Sequence, residues 1–302
     1  GAVAILDSRM DDDADACLSA LVPLLQQSAV DFQEDPAATN AAILQAVIDL
    51  DSFWQLTDDS VANTVQTMTD LGLVSNGPDS TLGNFELDRV NDIITAIDEQ
   101  VGSVDVPEGL TAEDLVTNKY IDPSISFAGS VARDGAAPAG DVQPVSAGDL
   151  GDCPNPLVIQ TDWFPEPEHG ALYNLTAGEG SIDGESGRFS GPLAADPSIT
   201  LEIRAGGPFV GFQQTVALMA TDSDIFLGYV NTDEAIQNYE DFPTTAVVAP
   251  LEINPQMIMW DPDTYTIDSW ADVKGTEAVV NVFAGAAYTE WLVGSGLVDA
   301  DQ

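Results

Sequence analysis

From residue 156 to its carboxyl end the chain alternates apolar runs of strand length with stretches of helical character, and few folds accept that alternation. PLVIQTDW precedes a helix from His169, SITLEIRAG a helix around Phe212 to Met219, and IFLGYV a helix from Asp233; TAVVAPL, QMIMW and the end of DVKGTEAVVNVF read as further strands, and 286–293 as a last helix. Strands of about four to eight residues separated by helices imply an α/β fold with a mostly parallel, doubly wound sheet. Such a sheet presents its binding loops at the carboxyl edge. The first of these loops is the most eventful stretch of the chain: LVIQ runs into Asp162, Trp163 and Phe164, then Pro165, Pro167 and His169, the single histidine, before a Gly-led helical start.

Residues 1–127 read differently. GAVAIL has the composition of a short buried strand, and helical periodicity follows. Leu18, Leu21, Val22 and Leu25 lie behind a run of Asp, whose charge suits a helix start. Pro36 opens PAATNAAILQAVIDLD with Asp35 as its cap; a third helix runs from about Asp58 to Gly72; Leu87, Val90, Ile93, Ile94 and Ile97 line one face of a fourth; Thr111 to Asp114 looks like another start. Residues 128–152, rich in Ala, Gly, Pro, Ser and Asp, read as a flexible acidic linker. The faces Leu18 to Leu25, Ile43 to Ile48 and Ile93 to Ile97 are expected to pack on the sheet formed after Pro156. Residues 275–302 are expected to make few contacts.

The 51 acidic residues against 7 Lys and Arg, a formal net charge of -44, are spread along the chain. Such a surface repels nucleic acid and anionic membranes and suits high salt, where self-repulsion is screened; an acidic mesophilic exoprotein is the other reading. Cys17 and Cys153 lack the spacing of a metal site. They are either one long-range disulfide, as in a secreted protein, or two separate buried thiols. No apolar run is long enough to cross a bilayer and no signal peptide opens the sequence, which reads as a soluble chain without its export signal.

The order strand, aromatic, Pro, His169-Gly170, Tyr173 resembles the first strand and loop of the NMT1/THI5-like solute-binding proteins, which include nitrate-, sulfonate- and pyrimidine-precursor-binding components of ABC importers. The resemblance continues through Arg204-Ala-Gly-Gly with Gln213 and Gln214, the SDIFLGY strand leading to Asn231-Thr232-Asp233-Glu234, AVVAPLEINP, and SWADVKGTEAVVNVFAGAAYTEWL. Residues 1–127 are similar to the same family's carboxyl-terminal region, with Asp35-Pro36-Ala37-Ala38 matching a helix start. The two regions stand in reversed order, as in a circular permutation or a fragment across a tandem junction; the linker favours the second. The resemblance implies a type II periplasmic-binding-protein-like fold in which 1–127 and 153–302 rebuild lobe one, with the second lobe largely missing.

It also implies an extracellular or periplasmic, membrane-tethered, monomeric solute-binding protein that works with an ABC-transporter permease, without cofactor, metal or catalytic residues. The ligand-binding set would be Trp163, Phe164, Glu168, His169, Tyr173, Gln213, Asn231, Thr232, Asn254, Gly285 and Ala286. Trp163, Phe164 and Tyr173 would stack a flat ligand unless they serve the core. His169 would donate to the ligand or cap its helix. Asn231 and Thr232 would offer a helix start, or simply cap it, and Gly285 and Ala286 backbone N–H groups. Trp163, Phe164, His169, Tyr173 and Asn231 are expected around one concavity. Asp162, Glu166 and Glu168 make a neutral or cationic, heteroaromatic ligand the better fit. The alternatives are a nitrate- or sulfonate-type anion, or a thiamine-pyrimidine biosynthesis enzyme using pyridoxal phosphate. That enzyme needs a Schiff-base lysine, and Lys119 and Lys274 both fall far from the loop in sequence. A Ser-His-Asp hydrolase would need a nucleophile elbow that the sequence lacks.

Overall fold

The computed structural model describes residues 1–128, 150–274, 276–282 and 287–302. One seven-stranded sheet organises them: β1 (Ala2–Leu6), β2 (Leu157–Gln160), β3 (Ser181–Asp183), β4 (Arg188–Leu193), β5 (Asp196–Arg204), β6 (Leu227–Val230) and β7 (Thr244–Val248), in the spatial order β3-β4-β5-β2-β6-β1-β7. The amino-terminal strand is therefore built into the interior of the sheet supplied by the later part of the chain. Along β1 the side chains alternate, Val3 and Ile5 into one core cluster and Ala4 and Leu6 into the other. This is how a central strand covered on both faces behaves.

The expected mostly parallel sheet is corrected to a mixed one. Among the described strands only β2 pairs in parallel, with β5 and β6; β1 runs antiparallel to β6 and β7, β3, β4 and β5 form an antiparallel meander, and Val116 adds an isolated parallel bridge to Ala246 of β7. Two physical causes account for the difference. The stretch around Asp183 to Gly187 turns the chain back as a hairpin, with Asp183 accepting from the Glu185 N–H at 3.1 Å. The direction of β1 is set by where the chain enters the sheet, and a run of buried apolar residues carries no sign of direction.

One face of the sheet is covered by α1 (Asp12–Glu34), α2 (Ala37–Leu50) and α5 (Gly170–Asn174). Asp11 caps α1 by accepting from the Ala14 N–H at 2.8 Å, with Asp12, Asp13 and Asp15 in the first turn. Its stripe Cys17, Leu18, Leu21, Val22 and Leu25 then meets Ile5, Leu157 and Ile159. Gly170 lets α5 approach α1, since a Cβ there would lie 2.1 Å from the Phe32 ring. Ile43, Ala46 and Leu50 complete this face, while Ile48, expected to pack, is 66% exposed.

The other face is covered by α4 (Leu87–Gln100), α6 (Thr215–Thr221) and α7 (Thr232–Gln237), where Val90, Ile94 and Ile97 join Val158, Val216, Met219 and Ile236. Ile93 faces outward. α3 (Asp58–Asp70) starts with a reciprocal capping box between Thr57 and Ser60. The expected start at Thr111 amounts to a single 3-10 turn, Ala112–Asp114. A disulfide joins Cys17 of α1 to Cys153, just before β2. Most of the expected linker, residues 129–149, lies outside the described residues.

Two expected strands do not form. Residues 256–260 and 279–282 carry no strand, and Met257, Met259 and Val279 are 64%, 85% and 81% exposed, because no neighbouring strand pairs with them. After the short α8 (Trp270–Val273), α9 (Ala287–Gly294) is better anchored than expected: Glu290 accepts from the Ser103 N–H at 2.9 Å, and Leu292 packs with Val273 and Val298.

Candidate functional site

β2 and β6 lie side by side in parallel, with Gln160 beside Gly228, so residues 161–164 and Asn231 leave the sheet at the same edge. The chain leaving β2 goes to the face of α1 and α5, while that leaving β6 goes to the face of α4 and α7. Divergence of this kind opens a crevice at the carboxyl ends of the strands. On the far side of β2 the loop after β5 is laced to the same segment. The Thr161 N–H donates to the Arg204 carbonyl, the Gly206 N–H to Trp163 and the Gly207 N–H to Asp162, at 2.9, 2.9 and 3.1 Å. Gly206 is required by this approach, since a Cβ would lie 2.4 Å from the Thr161 carbonyl oxygen.

A charged cluster lies within the 161–169 loop. His169 is buried, its Nε2 3.0 Å from Asp162 Oδ1 and its ring edge-on to Tyr229 at 4.9 Å. Burial pushes the imidazole pKa down, but the hydrogen bond and charge of Asp162, with the charges of Glu166 and Glu168, prevail and raise it to about 9. The ring is thus an imidazolium at neutral pH. Burial pushes Asp162 upward, yet the bond to His169 holds it below the ordinary carboxylate value. Glu166 goes the other way, to about 7, because burial and the repulsion of Glu168 and Asp162 outweigh the attraction of His169. Tyr173, one helical turn after His169, and Tyr229 both have phenols raised by burial. His169 Nδ1 and the Tyr173 hydroxyl are buried without a hydrogen-bond partner.

Beside this cluster stands an aromatic one. Phe164 is its buried centre, ringed by Phe53 at 5.4 Å, Trp54 at 5.8 Å, Trp163 at 5.8 Å and Phe209 at 5.5 Å. Trp54 and Trp163 stand nearly perpendicular, 86° at 6.2 Å, and Phe212 lies 6.1 Å from Trp163. The Trp54 indole N–H is given to the Pro165 carbonyl at 3.3 Å.

Of the sequence-predicted site residues, Trp163, Phe164, Glu168, His169 and Tyr173 come together at this edge. Phe164 and Tyr173 are packed as core, Tyr173 edge-on to Phe189 at 5.0 Å. Gln213 is exposed, next to Phe212. Asn231 and Thr232 share the edge but face the other side of the sheet, lining a small cavity of about 40 Å³ with Ala4, Val230 and Ala235. Asn254 is not part of the loop cluster: its side chain accepts from the Gln256 N–H at 2.8 Å, and the nearby Glu252 carboxylate lies 3.2 Å from Arg89. Gly285 and Ala286 lie outside the described residues.

Sequence reasoning missed Phe53, Trp54 and Tyr229. The signal for the first two was two adjacent aromatics in an otherwise polar stretch between helices. It also missed the burial of Glu234, whose carboxylate accepts from the Val216 N–H and is raised to about 7 by burial. Among the described residues no group of three or more His, Cys, Asp or Glu is arranged to hold a metal ion. Neither lysine is near the loop: Lys119 pairs with Asp15, and Lys274 donates to the Gly296 carbonyl at 2.9 Å. No protein-family profile, curated protein or solved structure matches the chain.

Proposed function

We propose that this chain is the solute-binding component of an ABC-type importer, related to the NMT1/THI5-like proteins, and that it holds a small neutral or cationic, heteroaromatic ligand against the 161–169 loop. The observation that carries the reading is the meeting of aromatic faces and carboxylates at the 161–169 loop, which leaves β2 at its carboxyl end, the expected edge for a ligand in an open α/β sheet. The order β5-β2-β6, with β1 returning antiparallel between β6 and β7, suits a type II binding-protein lobe assembled from two chain regions in exchanged order.

The disulfide fits an exported, extracellular or periplasmic protein, and the charge of -44 fits a salty medium. A permease is the partner. An anion is disfavoured because Asp162, Glu166 and Glu168 crowd around one imidazolium. The pyridoxal-phosphate alternative does not fit the residues present, since both lysines are engaged away from the loop.

The test is titration calorimetry of the oxidised chain in high salt against a hydroxymethyl-aminopyrimidine, organic cations, nitrate and methanesulfonate. Saturable binding of the pyrimidine or a cation, lost in Trp163→Ala, is the expected result. Binding of the anions alone, or of no solute, overturns the reading.

A further inference from the structure

We propose that residues 52–56, the connector between α2 and α3, are a lid over the 161–169 loop, latched by Trp54, which swings aside to admit a solute and closes on it. The inference rests on the solute-binding reading and adds how that site is entered. Phe164, in the middle of the loop's aromatic cluster, is 1% exposed, and part of its cover comes from this distant connector. The Trp54 ring lies 11° from parallel to it at 5.8 Å, and Phe53 meets it edge-on at 5.4 Å. Trp54 and Trp163 form an aromatic corner where connector and loop touch. Displacing the connector uncovers one face of Phe164.

The connector is held by side chains and not by its backbone. The Asp51 N–H donates to the Ile48 carbonyl at 3.2 Å and the Val61 N–H to the Thr57 carbonyl at 3.0 Å; between these bonds, among the described residues, no backbone N–H or carbonyl of 52–56 pairs with another backbone group. The connector's hydrogen bond to the 161–169 loop is that of the Trp54 indole N–H to Pro165, long at 3.3 Å. Phe53 is 71% exposed, so closure buries little beyond the Trp54 ring and part of Leu56. A segment with few backbone bonds and little buried area opens at low free energy.

Both ends are built to absorb the motion. Asp51 ends α2 in a left-handed conformation, φ 45° and ψ 46°, which Asp adopts more readily than most residues. Thr57 opens α3 from extended backbone within its own capping box. The two helices therefore keep their internal bonds while a few terminal residues change φ and ψ, which is how lids hinge. The closed arrangement is also short of one bond. His169 Nδ1 is buried without a partner in the turn Pro167–His169, which packs against α3. An unpaired buried donor costs free energy that an acceptor on an admitted solute offsets.

The test is fluorine relaxation dispersion on the whole oxidised chain labelled with fluorotryptophan, with and without the hydroxymethyl-aminopyrimidine, beside calorimetry of the same solute. Trp54 and Trp163 are expected to share one exchange process on the microsecond to millisecond scale, not shared by Trp260, Trp270 and Trp291, and saturating solute should quench it. Trp54→Phe, which keeps a ring at the latch and loses the bond to Pro165, should raise the open population read at Trp163 on the order of fivefold. An open population unchanged in Trp54→Phe overturns the proposal. Solute binding with no shared exchange, or with exchange that the solute leaves unaltered, overturns the lid and leaves the solute-binding reading standing. Exchange without binding of the pyrimidine or an organic cation overturns the solute-binding reading and the gating role with it. A chain that shows neither overturns both.

Discussion

His169 is the residue on which the loop depends. Its folded pKa of about 9 exceeds the unfolded value near 6.5, so the stability it contributes is complete below 6.5 and is lost as pH rises through 9. Glu166 and Glu234 are raised from 4.5 to about 7, so burial favours their neutral forms and stability falls as pH climbs through that interval. All three act in one direction. At constant high salt the melting temperature should be highest in mildly acidic buffer and decline toward pH 9; a profile rising from pH 5 to 9 would contradict the assigned cluster. Glu166→Gln should flatten the decline between pH 5 and 8 and raise the melting temperature above pH 7. His169→Ala, which leaves Asp162 without its partner, should cost on the order of 3 kcal/mol in denaturant unfolding. The sequence singled out His169 and its acidic neighbours because they are rare and crowded, but the bond to Asp162 and the contact with Tyr229 needed the strands in place.

At the scale of elements, the loop after β2 is positioned by the loop after β5 as much as by its own residues. The three backbone bonds from Thr161, Gly206 and Gly207 close a seam that admits no side chain at residue 206. Gly206→Ala must push the Thr161 to Asp162 backbone away, with an expected cost of about 1–3 kcal/mol. Because Trp163 moves with that backbone, the variant should also weaken ligand binding beyond what its stability loss explains, by calorimetry at a temperature where it is fully folded. Wild-type-like binding and stability would show the seam to be incidental. The central strands, the long helices and the helix start near Asp58 were legible from periodicity and residue chemistry, which are local signals. β5 was legible too, but its hairpin partners β3 and β4 were not, because both are short or half exposed and β4 is broken by Gly191 and Pro192.

For the molecule as a whole, the two regions of the chain share one sheet and are fastened by a disulfide spanning 136 residues. Closing so long a loop restricts the unfolded chain strongly, so the Cys17→Ala, Cys153→Ala double variant should lose about 2–5 kcal/mol. A loss near zero in equilibrium unfolding would mean that the sheet alone holds the regions together. The charge of -44 sets a second global term. Self-repulsion among carboxylates is screened within about 3 Å at molar salt, so the melting temperature should climb steadily as KCl is raised toward that range. No dependence on salt would show that the acidic surface is energetically idle.

The strands β1, β2, β5, β6 and β7, the helices between residues 12 and 100 and the crowded loop at 161–169 were determined by the sequence alone, because periodicity, caps and residue chemistry act over a few neighbours. Strand direction, the place of β1 between β6 and β7, and the meeting of Trp54 with Trp163 were decided by the tertiary structure. Buried apolar strands are interchangeable in composition, so their order follows from which packing buries both sheet faces at once. The aromatic corner likewise joins residues more than a hundred positions apart, which no local pattern records.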